Sequence, residues 1–149
     1  MILKIKKSIF NIAVVLTGIS LYSHAHADNV HITMYKQTGC MCCDKHADIL
    51  GQEGFDVELK PASNMNLLKA RLGIPEEFVG CHTMLVDGYI VEGHVPGSFI
   101  HRLLEEKPEV RGISVPGMPV GSPGMPGERT ELIDVYVIEE GKRISYGRF

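Results

Sequence analysis

The chain has no tryptophan, and aromatic residues make up only 7% of its 149 positions. Its core must therefore rest on aliphatic side chains. An excess of positive charge is also missing: 15 lysines and arginines face 18 acidic residues, for a formal charge of −3. A mildly acidic surface argues against nucleic acid as a partner. The N-terminal stretch has no twin arginine and no cysteine placed to carry a lipid. Its one long apolar run, Ser8 through Tyr22, is short for a bilayer span, which needs ~20 residues.

That run has the surroundings of an export signal. Lys4, Lys6 and Lys7 precede it, and Ala25-His26-Ala27 follows as a small-x-small cleavage site. The expectation is a cleaved signal peptide over residues 1–27 and a single exported domain over 28–149, with no stable membrane insertion after cleavage. An uncleaved signal anchor is the alternative. Residues 1–27 hold three lysines and no acidic residue, so the remaining chain carries a formal charge of −6.

Only four cysteines are present, and three of them crowd into Cys40-Met41-Cys42-Cys43. Such crowding is hard to explain as core packing. Thiolates are soft ligands that select Cu(I), zinc or iron–sulfur clusters, and Cys40 and Cys43 also have the spacing of a redox dithiol. Two structural disulfides fit poorly, because the adjacent Cys42 and Cys43 cannot both reach neighbouring partners without strain. The fourth cysteine stands in Cys81-His82.

Hydrophobic periodicity predicts strands over Val30 to Tyr35, Phe55 to Leu59, Thr83 to Val86, Tyr89 to Glu92 and Leu132 to Ile138. It predicts helices over Cys43 to Gln52, from a Ser63 or Asn64 cap through Leu72, and over Phe99 to Glu106 behind Ser98 as N-cap. Asp87-Gly88 is a hairpin signal between the third and fourth strands. The order β-α-β-α-β-β-α matches an α/β, thioredoxin-like layout: a central mixed sheet with helices on its faces. A Pro/Gly/Met loop over Val115 to Gly127 and an extra strand follow. The tail from Arg143 either pairs back as an edge hairpin or frays.

Helical spacing places His46 one turn beyond Cys42 and Cys43, either as a ligand or as a solvated polar position. In a thioredoxin-like fold the residues before the third strand pack against the C-x-x-C loop. Aligning Thr83 with the threonine that follows the usual proline puts His82 in the proline's place and Cys81 one residue back. Cys81 is then a fourth thiol for the cluster or a small core residue. Met118 and Met125 lie in a near-repeat, Pro116-Gly117-Met118-Pro119 and Pro123-Gly124-Met125-Pro126, whose turns present each thioether from a bent backbone. Thioethers suit Cu(I) far better than Zn(II). His94 and His101 read as surface residues.

Zinc sites usually show two separated C-x-x-C pairs or a Cys-Cys-His-His spacing, neither of which is present. Several thiolates in one loop better suit a compact, polynuclear copper–thiolate site. Together, Thr38-Gly39-Cys40-Met41-Cys42-Cys43, Gly80-Cys81-His82-Thr83, Val86-Asp87-Gly88-Tyr89, Glu92-Gly93-His94-Val95-Pro96 and the Pro-Gly-Met segments, including Gly121-Ser122-Pro123-Gly124-Met125, resemble the CopG-like copper-resistance family. The resemblance covers about Val30 to Glu128. It implies a periplasmic, thioredoxin-like protein of copper and silver resistance that binds Cu(I) and interconverts Cu(I) and Cu(II). On matching positions Cys40, Cys42 and Cys43 are the core ligands, with Cys81, His82, His46, Met118 or Met125 completing the site. Copper ions, a periplasmic copper chaperone and efflux components are the implied partners. Two other readings stay open: a thiol–disulfide oxidoreductase using Cys40 and Cys43, and a chaperone that delivers copper without chemistry.

Overall fold

Alternation along Val30–Lys36 (β1) turns Ile32 and Met34 inward while Thr33 and Tyr35 face the other way. The structure is a computed structural model and describes residues 29–149. The signal segment predicted over 1–27 lies outside the described residues. No helix among the described residues is long and apolar enough to cross a membrane.

β1 is followed by Met41–Gln52 (α1), Phe55–Pro61 (β2), Met65–Arg71 (α2), a 3-10 turn at Glu76–Phe78, Thr83–Val86 (β3) and Tyr89–Glu92 (β4). Gly97–Glu106 (α3), Gly112–Ser114 (β5), Asp134–Glu139 (β6) and Lys142–Arg148 (β7) complete the order. The seven strands form one mixed sheet in the order β2-β1-β3-β4-β5-β6-β7. β1 runs parallel to β2 and β4 parallel to β5, while the other neighbours are antiparallel. The chain is an α/β protein with helices packed on that sheet.

Several predicted boundaries move. α1 starts at Met41, two residues before the predicted opening at Cys43. Its buried stripe, Cys43, His46, Ala47 and Leu50, has the spacing of one helical face. Cys40 stands at the N-cap without a capping hydrogen bond, which forgoes about 1 kcal/mol. Full burial of Leu50 alone contributes about 1.5–3 kcal/mol, so packing outweighs the missing cap. α3 begins behind Pro96 rather than the predicted Ser98 cap. Proline there offers no side-chain cap, but its fixed φ fits the extended backbone that leads into the helix. Asn64, one of the two cap candidates for α2, accepts from the Leu67 N–H at 2.9 Å.

Three-residue β5 lacks the length to show periodicity and was not predicted. The tail does not fray: β7 pairs with β6 across Gly141. Asp87 and Gly88 both hold positive φ, as the tight turn between β3 and β4 requires. The main core gathers Ile32, Met34, Leu50, Met84, Val91, Ile100 and Leu103. Ile74, Phe78, Ile90 and Ile138 form a second, smaller core. Neighbours Ile90 and Val91 fall in different cores, as opposite faces of one strand should.

Candidate metal centre

The uncapped start of α1 brings Cys42 and Cys43 into the first turn, beside Cys40 at the cap. Free N–H groups at a helix start favour thiolate over thiol. Cys81, two residues before β3, packs against this turn. Its Sγ lies 3.3 Å from Cys40 Sγ, 3.4 Å from Cys43 Sγ and 3.7 Å from Cys42 Sγ, and Cys40 and Cys42 are 3.5 Å apart. Cys40 and Cys43 are joined as a disulfide, with Cα atoms 5.4 Å apart, while Cys42 and Cys81 are free. All four sulfurs lie within 4.8 Å of one another. Burial first, and then Cys42, push the Cys81 thiol up to about 11.

One turn further along α1, the His46 ring is fully buried and meets two others. His46 Nδ1 is 2.9 Å from His82 Nε2, and the ring centroids of His46, His82 and His94 are 4.7–5.2 Å apart. Two carbonyls fix the protons. A carbonyl only accepts, so His46 donates through Nε2 to Val95 O at 3.0 Å and His94 donates through Nδ1 to Pro123 O at 2.7 Å. The neutral His46 ring must then accept at Nδ1 from the Nε2–H of His82. This leaves His82 Nδ1 and His94 Nε2 as bare lone pairs, buried with no partner among the described residues. Buried polar atoms are almost always satisfied, so two orphans in one pocket point to a missing ligand.

Burial keeps all three rings uncharged. It is the largest cause in each case, holding His46 down at about 3 and His82 and His94 below their ordinary value. Neighbouring imidazoles add to the effect at His46 and His82, while the Pro123 carbonyl opposes it at His94. Neutral imidazole is the metal-binding form, and a carbonyl on the far ring nitrogen is the usual support of a ligating histidine. The residues present fit a metal ion at either cluster.

The two clusters share chain. Cys43 and His46 are one turn apart on α1, and Cys81 and His82 are adjacent. The second Pro-Gly-Met segment closes over both. A Cβ at Gly124, which has φ +84°, would lie 2.6 Å from Cys42 O and 2.7 Å from His46 N. Only glycine lets the loop approach that closely. Gly117, in the first such segment, bridges to Gly80 beside Cys81.

The structure thus brings Cys40, Cys42, Cys43 and Cys81 together and sets His46 and His82 in an adjoining pocket. His46 is not solvated. Met125 is half-buried, next to Gly124, and Met118 is 58% exposed. The surface reading of His94 is corrected: it is fully buried and completes the imidazole cluster. Its signal lay in the hairpin. With Asp87-Gly88 as the turn, Thr83 pairs with Glu92, so one step outward His82 faces Gly93 and neighbours His94. His101 is indeed exposed, stacked on Phe55.

A family described as "Protein of unknown function, DUF411" matches residues 78–125, a span holding Cys81, His82, His94, Met118 and Met125. No curated protein matches the chain. Two solved structures do, titled "Copper resistance protein copG- Form 2" and "Copper resistance protein copG- Form 1". Each is 36% identical, with a TM-score of 0.74, and the match covers 81% of this chain and 98% of the other. Likeness of that extent, in a chain whose cysteine cluster stands beside buried imidazoles, is a family relationship: the chain belongs to the CopG family of copper-resistance proteins.

Proposed function

We propose that this protein binds copper in the periplasm, taking Cu(I) at Cys40, Cys42, Cys43 and Cys81, with His46, His82, Met118 and Met125 completing or covering the site. His94 joins this set as the third imidazole. One observation carries the reading: four sulfurs within 4.8 Å of one another adjoin three buried imidazoles, two with unpartnered lone pairs. Soft sulfur favours Cu(I), and imidazole suits Cu(II) as well as zinc. The two donor sets side by side therefore suit an ion that changes oxidation state. The Cys40–Cys43 couple balances such a change. Closing that dithiol to the disulfide would supply two electrons, enough to reduce two Cu(II) to two Cu(I) with release of two protons. It would also withdraw two of the four sulfur ligands, leaving Cys42 and Cys81 as the free thiols.

Residues 1–27 act in this reading as a cleaved signal, and 28–149 form a single domain. The β1-α1-β2-α2-β3-β4-α3 order, with the first four strands arranged β2-β1-β3-β4, supports a thioredoxin-like frame. β5, β6 and β7 extend it beyond the Pro/Gly/Met loop.

Anaerobic titration of the reduced 28–149 protein with Cu(I) tests the reading, using Ser variants of Cys40, Cys42, Cys43 and Cys81. Stoichiometric uptake that each substitution weakens is expected. Weak uptake indifferent to all four would sink it.

A thiol–disulfide oxidoreductase is the second reading, supported by the Cys40–Cys43 disulfide itself. Turnover of a dithiol peptide by metal-free protein, abolished in Cys40→Ser, would favour it.

A further inference from the structure

The dipeptide Cys81-His82 supplies one donor to each cluster, and its two flanking residues are gripped by a single side chain. Glu92, fully buried at the end of β4, accepts from the Gly80 N–H through Oε1 at 2.8 Å. Through Oε2 it accepts from the Thr83 hydroxyl at 2.6 Å. Lys69 of α2, only 4% exposed, donates to the same Oε1 and to Thr83 Oγ1 at 3.0 Å. An ammonium cannot accept, so the Thr83 hydroxyl receives from Lys69 and gives its proton to Glu92. Every donor and acceptor in the group has a fixed direction.

Stability alone gives little reason for this arrangement. Removing two charges from water costs about as much as their attraction returns, and an apolar pair of similar volume is often neutral or stabilising in its place. What an apolar pair cannot provide is a directional hold on an amide and a hydroxyl three residues apart. Packing cannot provide it at Gly80 either, because a Cβ there would lie 2.6 Å from Gly93 Cα. The pair is also net neutral, so it grips the segment without adding charge beside the sulfurs.

We propose that Glu92, oriented by Lys69, is the positioning residue for both clusters: by tying Gly80 to Thr83 it sets where Cys81 Sγ and the His82 ring point. Its effect on metal rests on the copper-binding reading above; its effect on Cys81 in the metal-free protein does not.

The test compares Lys69→Met/Glu92→Leu with Lys69→Met/Glu92→Gln in the 28–149 protein. The Leu variant keeps volume and loses the grip. The Gln variant stays uncharged but still accepts from Gly80 and donates to Thr83. In oxidised, metal-free protein Cys42 and Cys81 are the two free thiols, so iodoacetamide mapping carries its own control. With Leu, the Cys81-to-Cys42 alkylation ratio should rise at least about fivefold and Gln should restore it, while the melting temperature of the Leu variant holds or rises. In the same variant, Cu(I) affinity of the reduced protein and Co(II) affinity read from its ligand-field spectrum should fall together, by about 10–100-fold, the usual cost of losing a supporting group.

An unchanged or lowered alkylation ratio in folded Leu variant overturns the proposal, as does a rise that Gln fails to reverse. Should the Leu variant not fold, Thr83→Val removes one of the two grips, and the ratio must then rise in the same direction for the proposal to stand. Wild-type protein that takes up neither metal ends the copper reading, while the alkylation ratio still decides the positioning role.

Discussion

The sulfur cluster and the imidazole cluster adjoin along two shared stretches of chain, yet their donors and surroundings are opposite. The sulfurs are soft and oxidisable, and Cys40, Cys42 and Cys81 are only half-buried at the uncapped end of a helix. The imidazoles are borderline donors and wholly buried, two of them oriented by backbone carbonyls and His82 by its hydrogen bond to His46. Oxidation changes the number of donors in the first cluster, whereas protonation changes the number in the second. The pairing sets soft and borderline donors side by side.

Oxidation should separate the clusters most sharply. Closing the Cys40–Cys43 disulfide leaves Cys42 and Cys81 as the remaining thiols. Cu(I) affinity should fall by at least about 100-fold between dithiol-treated and oxidised protein, beyond the 10–100-fold typical of a lost supporting group. Imidazole-dependent Co(II) uptake should change little. Competition titrations on the two redox forms measure both. Equal Cu(I) affinity in the two forms would show that Cys40 and Cys43 are not ligands.

His94→Ala is the complementary lesion. It removes a fully buried ring that donates to Pro123 O, so it leaves a cavity and an unpaired carbonyl at a cost of about 1–3 kcal/mol. Co(II) absorption should be lost, while the Cu(I) titration of the reduced cysteines keeps its stoichiometry. If Cu(I) stoichiometry falls as well, the clusters form one site rather than two.

The same contrast explains what could be read before the structure. Three sulfurs of the first cluster lie within four residues, so local spacing revealed it, and the strand–helix order placed Cys81 beside it. The imidazoles come from α1, from the approach to β3 and from the exit of β4, three segments distant in the chain. A lone histidine flanked by Gly93 and Val95 looks like a surface residue until the β3–β4 register is followed one step outward. Lys69 gave no signal at all. It sits in a short helix between Leu68 and Ala70, where a lysine reads as a solvated position, and only the tertiary approach of Glu92 explains its burial. Short β5 was missed because three residues cannot display a period of two.

Acid and alkali should destabilise the metal-free protein through different clusters. In the unfolded chain each imidazole titrates near 6.5, while in the fold His46 is held at about 3, and His82 and His94 are also lowered. Between those values the unfolded chain binds more protons. The stability associated with neutral rings is therefore complete above about pH 6.5 and is lost as pH falls, by up to about 1.4 kcal/mol per unit for each ring. Cys81 behaves in the reverse sense. Its thiol is raised from 9.0 to about 11, so its contribution is complete below 9.0 and is lost as pH rises towards 11. Urea unfolding across this range should give a plateau between about pH 6.5 and 9. His94→Ala should flatten only the acid limb, and Cys81→Ser only the alkaline one. An acid limb unaffected by His94→Ala would remove the imidazoles as its cause.

The smallest effect should come from the methionines, where the two Pro-Gly-Met segments offer a last comparison. Met118 is 58% exposed, and its segment touches the site only through the Gly117–Gly80 bridge. Met125 is half-buried and follows Gly124, whose backbone presses on Cys42 and His46. Leucine keeps the volume of methionine and removes the sulfur, so neither Met118→Leu nor Met125→Leu should cost more than about 1.5 kcal/mol in stability. Cu(I) affinity then reports the thioether itself. Met125→Leu should weaken Cu(I) retention by a few-fold in competition with a soft chelator, and Met118→Leu should leave it unchanged. The opposite ranking would mean that the exposed segment folds inward when copper binds, making Met118 the covering ligand.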